Sequence, residues 1–194
     1  MKTAQILLKS ALALALATPL LASAESQLTI GTGTAAAKLD FRVVVPRVLF
    51  LAVGTGAAGL TTNTTVDTVT FDYTTNPGAV GTGAAAGAIT GNVVPVRVLG
   101  NNGVIALAST NTGALTNATG DTIPWSQITA TSSDTTNFAS PAPSGASVNL
   151  GLSSGTKVTS RTANWTFSYA NANVVAPGTY GATNGRVTYT ATMP

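Results

Sequence analysis

Val93-Val94-Pro95-Val96-Arg97-Val98-Leu99-Gly100, then Asn101-Asn102-Gly103, then Val104-Ile105-Ala106-Leu107-Ala108 is the stretch whose reading decides the fold. Val94, Val96 and Val98 recur at every second position with Pro95 and Arg97 between them, so an extended chain has one apolar face there. The Asn-Gly step at 102–103 favours positive φ and predicts a tight hairpin turn before residues 104–108.

The same period appears on both sides. Leu39, Phe41, Val43 and Val45 form one set, opposed by Asp40 and Arg42, and Pro46 then removes a ladder donor and predicts a bend or an edge. Residues 48–53 are continuously apolar, which predicts a strand buried on both sides. Val69, Phe71 and Tyr73 alternate with Thr68, Thr70 and Asp72. Trp165, Phe167 and Tyr169 share a face, as do Val187, Tyr189, Ala191 and Met193, and these two faces are expected to meet in the core. The Gly/Ala/Thr/Asn stretches 54–65, 76–91 and 111–120 read as loops.

Composition agrees with this pattern. The 34 threonines, stiff at χ1, suit a pleated surface, while the usual helix formers Glu, Lys, Gln and Arg are scarce. No helix-period stripe survives past Ala24. The expectation is a single all-β domain, a Greek-key β-sandwich of about eight to ten short strands.

With no cysteine and no histidine, imidazole and thiolate chemistry are excluded. Gly54-Thr55-Gly56-Ala57-Ala58-Gly59 spells G-x-G-x-x-G after an apolar run, but the β-branched residues that follow do not suit the helix which a pyrophosphate site requires. Gly151-Leu152-Ser153-Ser154-Gly155 matches G-x-S-x-G without a histidine base, and pairing with Lys157 would need a desolvated lysine. Asp67, Asp72, Asp121 and Asp134 do not have the EF-hand spacing, which leaves open only a weak calcium site built from separate loops. The triplets beginning at Asn63, Asn117 and Asn164 fit the N-glycosylation pattern, which is frequent by chance in so Thr/Asn-rich a chain. Trp125 after Pro124 reads either as an exposed anchor or as core packing. The expectation is no catalytic residue, no cofactor, no metal site and no enzyme activity.

Lys2 and Lys9 flank the start of an apolar run, and Ala22-Ser23-Ala24 supplies a small-residue cleavage site, so residues 1–24 read as a secretory signal peptide. The run falls short of the ~20 apolar residues of a bilayer-spanning helix, so no transmembrane segment is expected after cleavage. Losing two of nine basic residues leaves seven against six acidic ones, with no Lys/Arg cluster for a phosphate backbone; no nucleic-acid partner is expected. An exported chain without cysteine must draw its stability from core and backbone pairing. Residues 25–37 then form an N-terminal extension ahead of a domain spanning 38–194. Leu28 and Ile30 in it alternate with Thr29 and Gly31, a pattern that can add to the open edge of another copy; repeated head to tail, that contact makes a filament.

Together with the leader and this extension, Lys38-Leu39-Asp40-Phe41-Arg42-Val43-Val44-Val45-Pro46, Pro177-Gly178-Thr179-Tyr180-Gly181 and Gly185-Arg186-Val187-Thr188-Tyr189-Thr190-Ala191 resemble bacterial chaperone–usher pilus subunits, the cysteine-free pilins most closely. The similarity covers the two ends; residues 55–160 take no part in it. The resemblance implies an incomplete immunoglobulin-like sandwich completed by a donor strand, with a periplasmic chaperone and an outer-membrane usher as partners. It implies polymerisation with other copies of the chain into adhesive fimbriae, reached through the periplasm. Carried over by position, Leu28, Ile30, Thr32 and Thr34 are the donor residues, and Val187, Tyr189, Ala191 and Met193 lie on the terminal strand bordering the acceptor groove. The rival expectation is a secreted, self-contained monomer that binds a carbohydrate or surface ligand through its loops. An exported enzyme using only Asp carboxylates is a third.

Overall fold

The computed structural model describes residues 26–56 and 59–194. The leader assigned to 1–24 and the middle of the G-x-G-x-x-G stretch lie outside the described residues. The chain divides into two units, one ending at Val45 and one spanning Pro46–Pro194. The second unit begins eight positions after Lys38, where the sequence pattern started the domain.

Among the described residues eleven strands form, all in the second unit: β1 (Leu49–Val53), β2 (Thr70–Asp72), β3 (Ala88–Thr90), β4 (Val93–Gly100), β5 (Ala106–Asn111), β6 (Leu115–Thr116), β7 (Thr122–Ile123), β8 (Ile128–Ser132), β9 (Ser147–Asn149), β10 (Thr159–Tyr169) and β11 (Val187–Thr192). Two short 3-10 turns, Pro77–Ala79 and Trp125–Gln127, are the helical content of that range. The protein is all-β, and every strand pair is antiparallel. One sheet has the order β1-β4-β10-β8 and a second the order β11-β5-β9; β2-β3 and β6-β7 are two-stranded ribbons.

Val94, Val96 and Val98 on β4 are 6%, 3% and 0% exposed, while Val93 is 55% exposed, so the period-two reading of this strand is met residue by residue. They share one core with Ile105, Leu107, Phe138, Leu150, Trp165 and Phe167. Its residues come from both larger sheets, and Trp165 is the hinge of the contact: its ring centroid lies 5.0 Å from that of Tyr189 on β11 and 5.8 Å from that of Phe138. The faces of β10 and β11 thus meet as their alternation predicts.

The hairpin expected at Asn101-Asn102-Gly103 does not form. Gly103 has the positive φ that the pattern predicts, +113°. But β4 already has β1 on one edge and β10 on the other, which leaves no edge for the returning chain. The chain therefore crosses to the second sheet and pairs there as β5. The polar groups of the turn serve neighbours instead: the Gly103 N–H donates to Lys157 O at 2.8 Å, and Asn101 binds the chain entering β1. The apolar run 48–53 is likewise not buried on both sides: Leu51 and Val53 face the core, while Phe50 and Ala52 lie on the outward face of the sheet, all half-buried. Residues 39–45 have the sequence period of a strand and form no strand. Their set of alternate apolar side chains stays in solvent.

A buried amide ties the end of β10 to a distant loop. Asn171, 1% exposed, accepts from Gly81 N at 2.7 Å and donates to Ala79 O at 2.6 Å and Ala84 O at 3.0 Å. Such groups are costly to leave unpaired in a low-dielectric interior. Replacing Asn171→Ala should lower stability by about 1–3 kcal/mol in urea denaturation, with hydrogen exchange rising first in residues 79–84.

Candidate functional site

β11 joins the second sheet through β5 alone, in the register Val187↔Asn111 to Thr192↔Ala106. β5 carries β9 on its far side, so the other edge of β11 pairs with no strand among the described residues. β11 also approaches β1, the edge of the first sheet. The two sheet margins thus lie along one side of the second unit, and a strand edge presents a row of N–H and C=O groups there.

Alternation sets which side chains border that margin. Val187, Tyr189 and Ala191 point inward, with Met193 next in line, while Thr188, Thr190 and Thr192 are exposed. The four named from the sequence therefore share one face. All four are half-buried rather than buried, unlike the inward row of β4. Gly100 makes room for the last of them: a Cβ built there would meet the Ile105 Cδ1 at 2.7 Å and the Met193 Sδ at 3.1 Å. Asn102 Nδ2 donates to Pro194 O just beyond, which holds the end of the chain at the β4–β5 connection.

Two polar atoms in this region have no hydrogen-bond partner, the Trp165 Nε1 and the Tyr189 hydroxyl. Burial pushes the Tyr189 phenol up from 10.0 to about 12. The neutral form is thus favoured by folding, and the stability it contributes is complete below the unfolded value and lost as pH rises through the folded one.

The first unit carries the other predicted set. Leu28 and Ile30 are 85% and 91% exposed. The segment does not run straight: the chain bends at residues 31–33, Gly31 has φ +94°, Thr29 Oγ1 donates to Thr34 O at 3.2 Å, and Ala36 N donates to Gln27 Oε1 at 3.0 Å. Thr32 and Thr34 are therefore part of a local bend that also contains Thr29. Leu39, Phe41, Val43, Val44 and Val45 are between 72% and 86% exposed.

The outward face of the first sheet carries a cleft of about 660 Å³, bordered by Phe50, Ala52, Thr55, Arg97, Thr162 and Asn164. Pattern reasoning missed it: Phe50 and Ala52 read as part of a doubly buried strand, Arg97 as the polar face of its own, and nothing in the sequence joined these positions to Thr162 and Asn164. The other motifs take structural positions. Thr55 donates to both Asp67 carboxylate oxygens from its backbone and side chain. Ser153 donates to Val158 O and accepts from Ser160 N, and Lys157 is exposed. The Asn117 side chain, 5% exposed, is engaged by Thr119, Asp121 and Pro177. Thr119 and then Asn117 hold the Asp121 carboxyl below its usual value. Trp125 is half-buried and donates from Nε1 to Gly113 O at 2.7 Å. Among the described residues no three acidic groups gather as a metal cluster would.

No family model, no curated protein and no solved structure matches the chain.

The Tyr189→Phe change removes a buried hydroxyl that has no partner, so stability at neutral pH should hold or rise slightly. In alkaline titration followed by circular dichroism, the wild type should lose stability between pH 10 and 12 by more than the Phe variant does. Equal losses would mean that the phenol is not protected by the fold.

Proposed function

We propose that the chain is the structural subunit of an extracellular fimbria, polymerising by donor-strand exchange and supporting adhesion. The observation that carries this reading is β11: one free edge, and an inward row Val187, Tyr189, Ala191 and Met193 left half-buried. An edge of this kind is a template for another strand. The fold reading that goes with it is an immunoglobulin-like Greek-key sandwich, with β1-β4-β10-β8 and β11-β5-β9 as its two layers, lacking a last strand beside β11. Connections that cross between layers, β4 to β5 and β10 to β11, support it.

The exposed tail of residues 26–45 is the counterpart, a segment of one copy available to the edge of the next. That contact is heterologous, so it propagates rather than closes. In this scheme the leader at 1–24 sends the chain to the periplasm, a periplasmic chaperone covers the same edge of β11 in transit, and an outer-membrane usher receives the subunit.

A second reading has one observation of its own, the cleft of about 660 Å³ beside Phe50, Arg97 and Asn164. Its size lies within the range of about 300–1,000 Å³ typical of small-ligand sites. The Phe50 ring, the Asn164 amide and the Thr55 and Thr162 hydroxyls beside it suit a carbohydrate. On this reading the protein is a secreted monomer.

Mature protein, residues 25–194, separates the two. Donor-strand exchange predicts multimer ladders that resist SDS and collapse on boiling, with those β11 amides that face away from β5 protected from exchange in the ladders and open in chaperone-free monomer. A chain that stays monomeric at high concentration and binds glycans, with binding lost in Phe50→Ala, overturns the fimbrial reading.

A further inference from the structure

We infer that the segment entering the open edge of a second copy is residues 39–45, with Leu39, Phe41, Val43 and Val45 as the side chains that fill the margin, rather than the Leu28–Ile30 set; this rests on the fimbrial reading above. Four observations point to it.

The first is chemical. A strand laid beside β11 must bring an apolar residue at every second position to meet the half-buried row of Val187, Tyr189, Ala191 and Met193. Residues 39–45 bring four, and put Asp40 and Arg42 on the outer face. Residues 28–34 bring only Leu28 and Ile30, followed by Thr32 and Thr34.

The second is conformational. Residues 28–34 are bent at 31–33, held by the Thr29–Thr34 bond within the segment and by the Ala36–Gln27 bond between its flanks, and both would have to break for it to run as a strand. Residues 39–45 carry no bend, and their backbone makes no hydrogen bond among the described residues. Their donors and acceptors are already available for a ladder.

Length is the third. At ~3.3 Å per residue, seven residues reach ~23 Å and the six of β11 about 20 Å, so the segment matches its track with little overhang.

The fourth is where the segment is anchored. Pro46 ends it without an N–H to continue a ladder. The Asn101 side chain then grips the next residues from both sides, Nδ2 donating to Pro46 O at 2.8 Å and Oδ1 accepting from Val48 N at 2.9 Å. The chain therefore leaves the second unit at a fixed point, and the apolar row begins at once. Residues 46–48 thus hold the start of the second unit directly after the apolar row in sequence.

The absence of cysteine makes the test clean. Introduce Val43→Cys together with one of Val187→Cys, Tyr189→Cys or Ala191→Cys, and in a second series Ile30→Cys with the same three, all in the full chain secreted with its leader. Oxidised material is read on non-reducing gels. The inference expects covalent multimers from at least one Val43→Cys pair and none from the Ile30→Cys pairs. Multimers from the Ile30→Cys series alone overturn the inference and leave donor-strand exchange standing. Cross-linked monomers of raised mobility from the Val43→Cys series mean that the segment completes its own subunit, and both readings fall. Wild type that forms no ladders at all sinks the fimbrial reading itself.

A charge substitution gives an independent arm. Phe41→Asp with Val43→Asp should cut the SDS-resistant fraction by about tenfold or more, and Leu28→Asp with Ile30→Asp by less than about twofold. Phe41 and Val43 are 86% and 84% exposed, so both pairs should leave the thermal melt of the subunit unchanged.

Discussion

The packing of Trp165 against Tyr189 and Phe138 is the contact on which the remainder of the second unit depends. Trp165 belongs to the central strand pair of one sheet, and Tyr189 to the edge strand of the other. A fully buried indole removes more apolar surface from water than any other side chain here, and its ring is wide enough to reach both neighbours at once. Smaller side chains surround it: the core is otherwise mostly valine, leucine and isoleucine. The same contact explains why β11 stays in place with only β5 as a ladder partner.

Few charges and no disulfides leave the loops to be fixed by amides. Asn171 ties residues 79–84 to the end of β10, Asn101 ties the entry of β1 to the β4–β5 connection, and Asn117 organises its own turn. Arg161 does the same with a cation, donating to Gly151 O and Leu152 O. The Asn side chain offers a donor and an acceptor on one short stem, which suits it to grip backbone on two sides.

The strand patterns of β4, β10 and β11 were legible because their alternation is strong enough to fix which face is buried. What the pattern could not fix was partnership. Asn102-Gly103 has the chemistry of a hairpin, and whether it joins neighbours depends on whether β4 has a free edge, which is a property of β1 and β10. Residues 48–53 look doubly buried because an apolar run does not say whether the outward face of its sheet is covered. The clamping asparagines were missed because asparagine in a Gly/Thr-rich loop looks the same whether it points to water or to a backbone oxygen. The terminal face Val187, Tyr189, Ala191 and Met193 was legible as a face, while the bend at 31–33 that separates the two tail sets had only Gly31 and Gly33 as its signal.

Residues 39–45 are the place where local pattern and observed conformation disagree, and the disagreement has physical content. A segment with an apolar side chain at alternate positions, β-branched residues and little charge gains most from a ladder and a covered face. Left in water, it is the kind of segment that pairs with any open edge it meets. The second unit offers such an edge at β11, whose inward row is itself incompletely covered. In the proposed fimbrial reading these two halves of a strand pair are brought together between copies. On that reading, association through the tail alone would leave the β11 row only half-buried, and association through β11 alone would leave the tail row in solvent. Pairing tail with edge would cover both rows in a single contact, and each contact would leave another edge for a further copy.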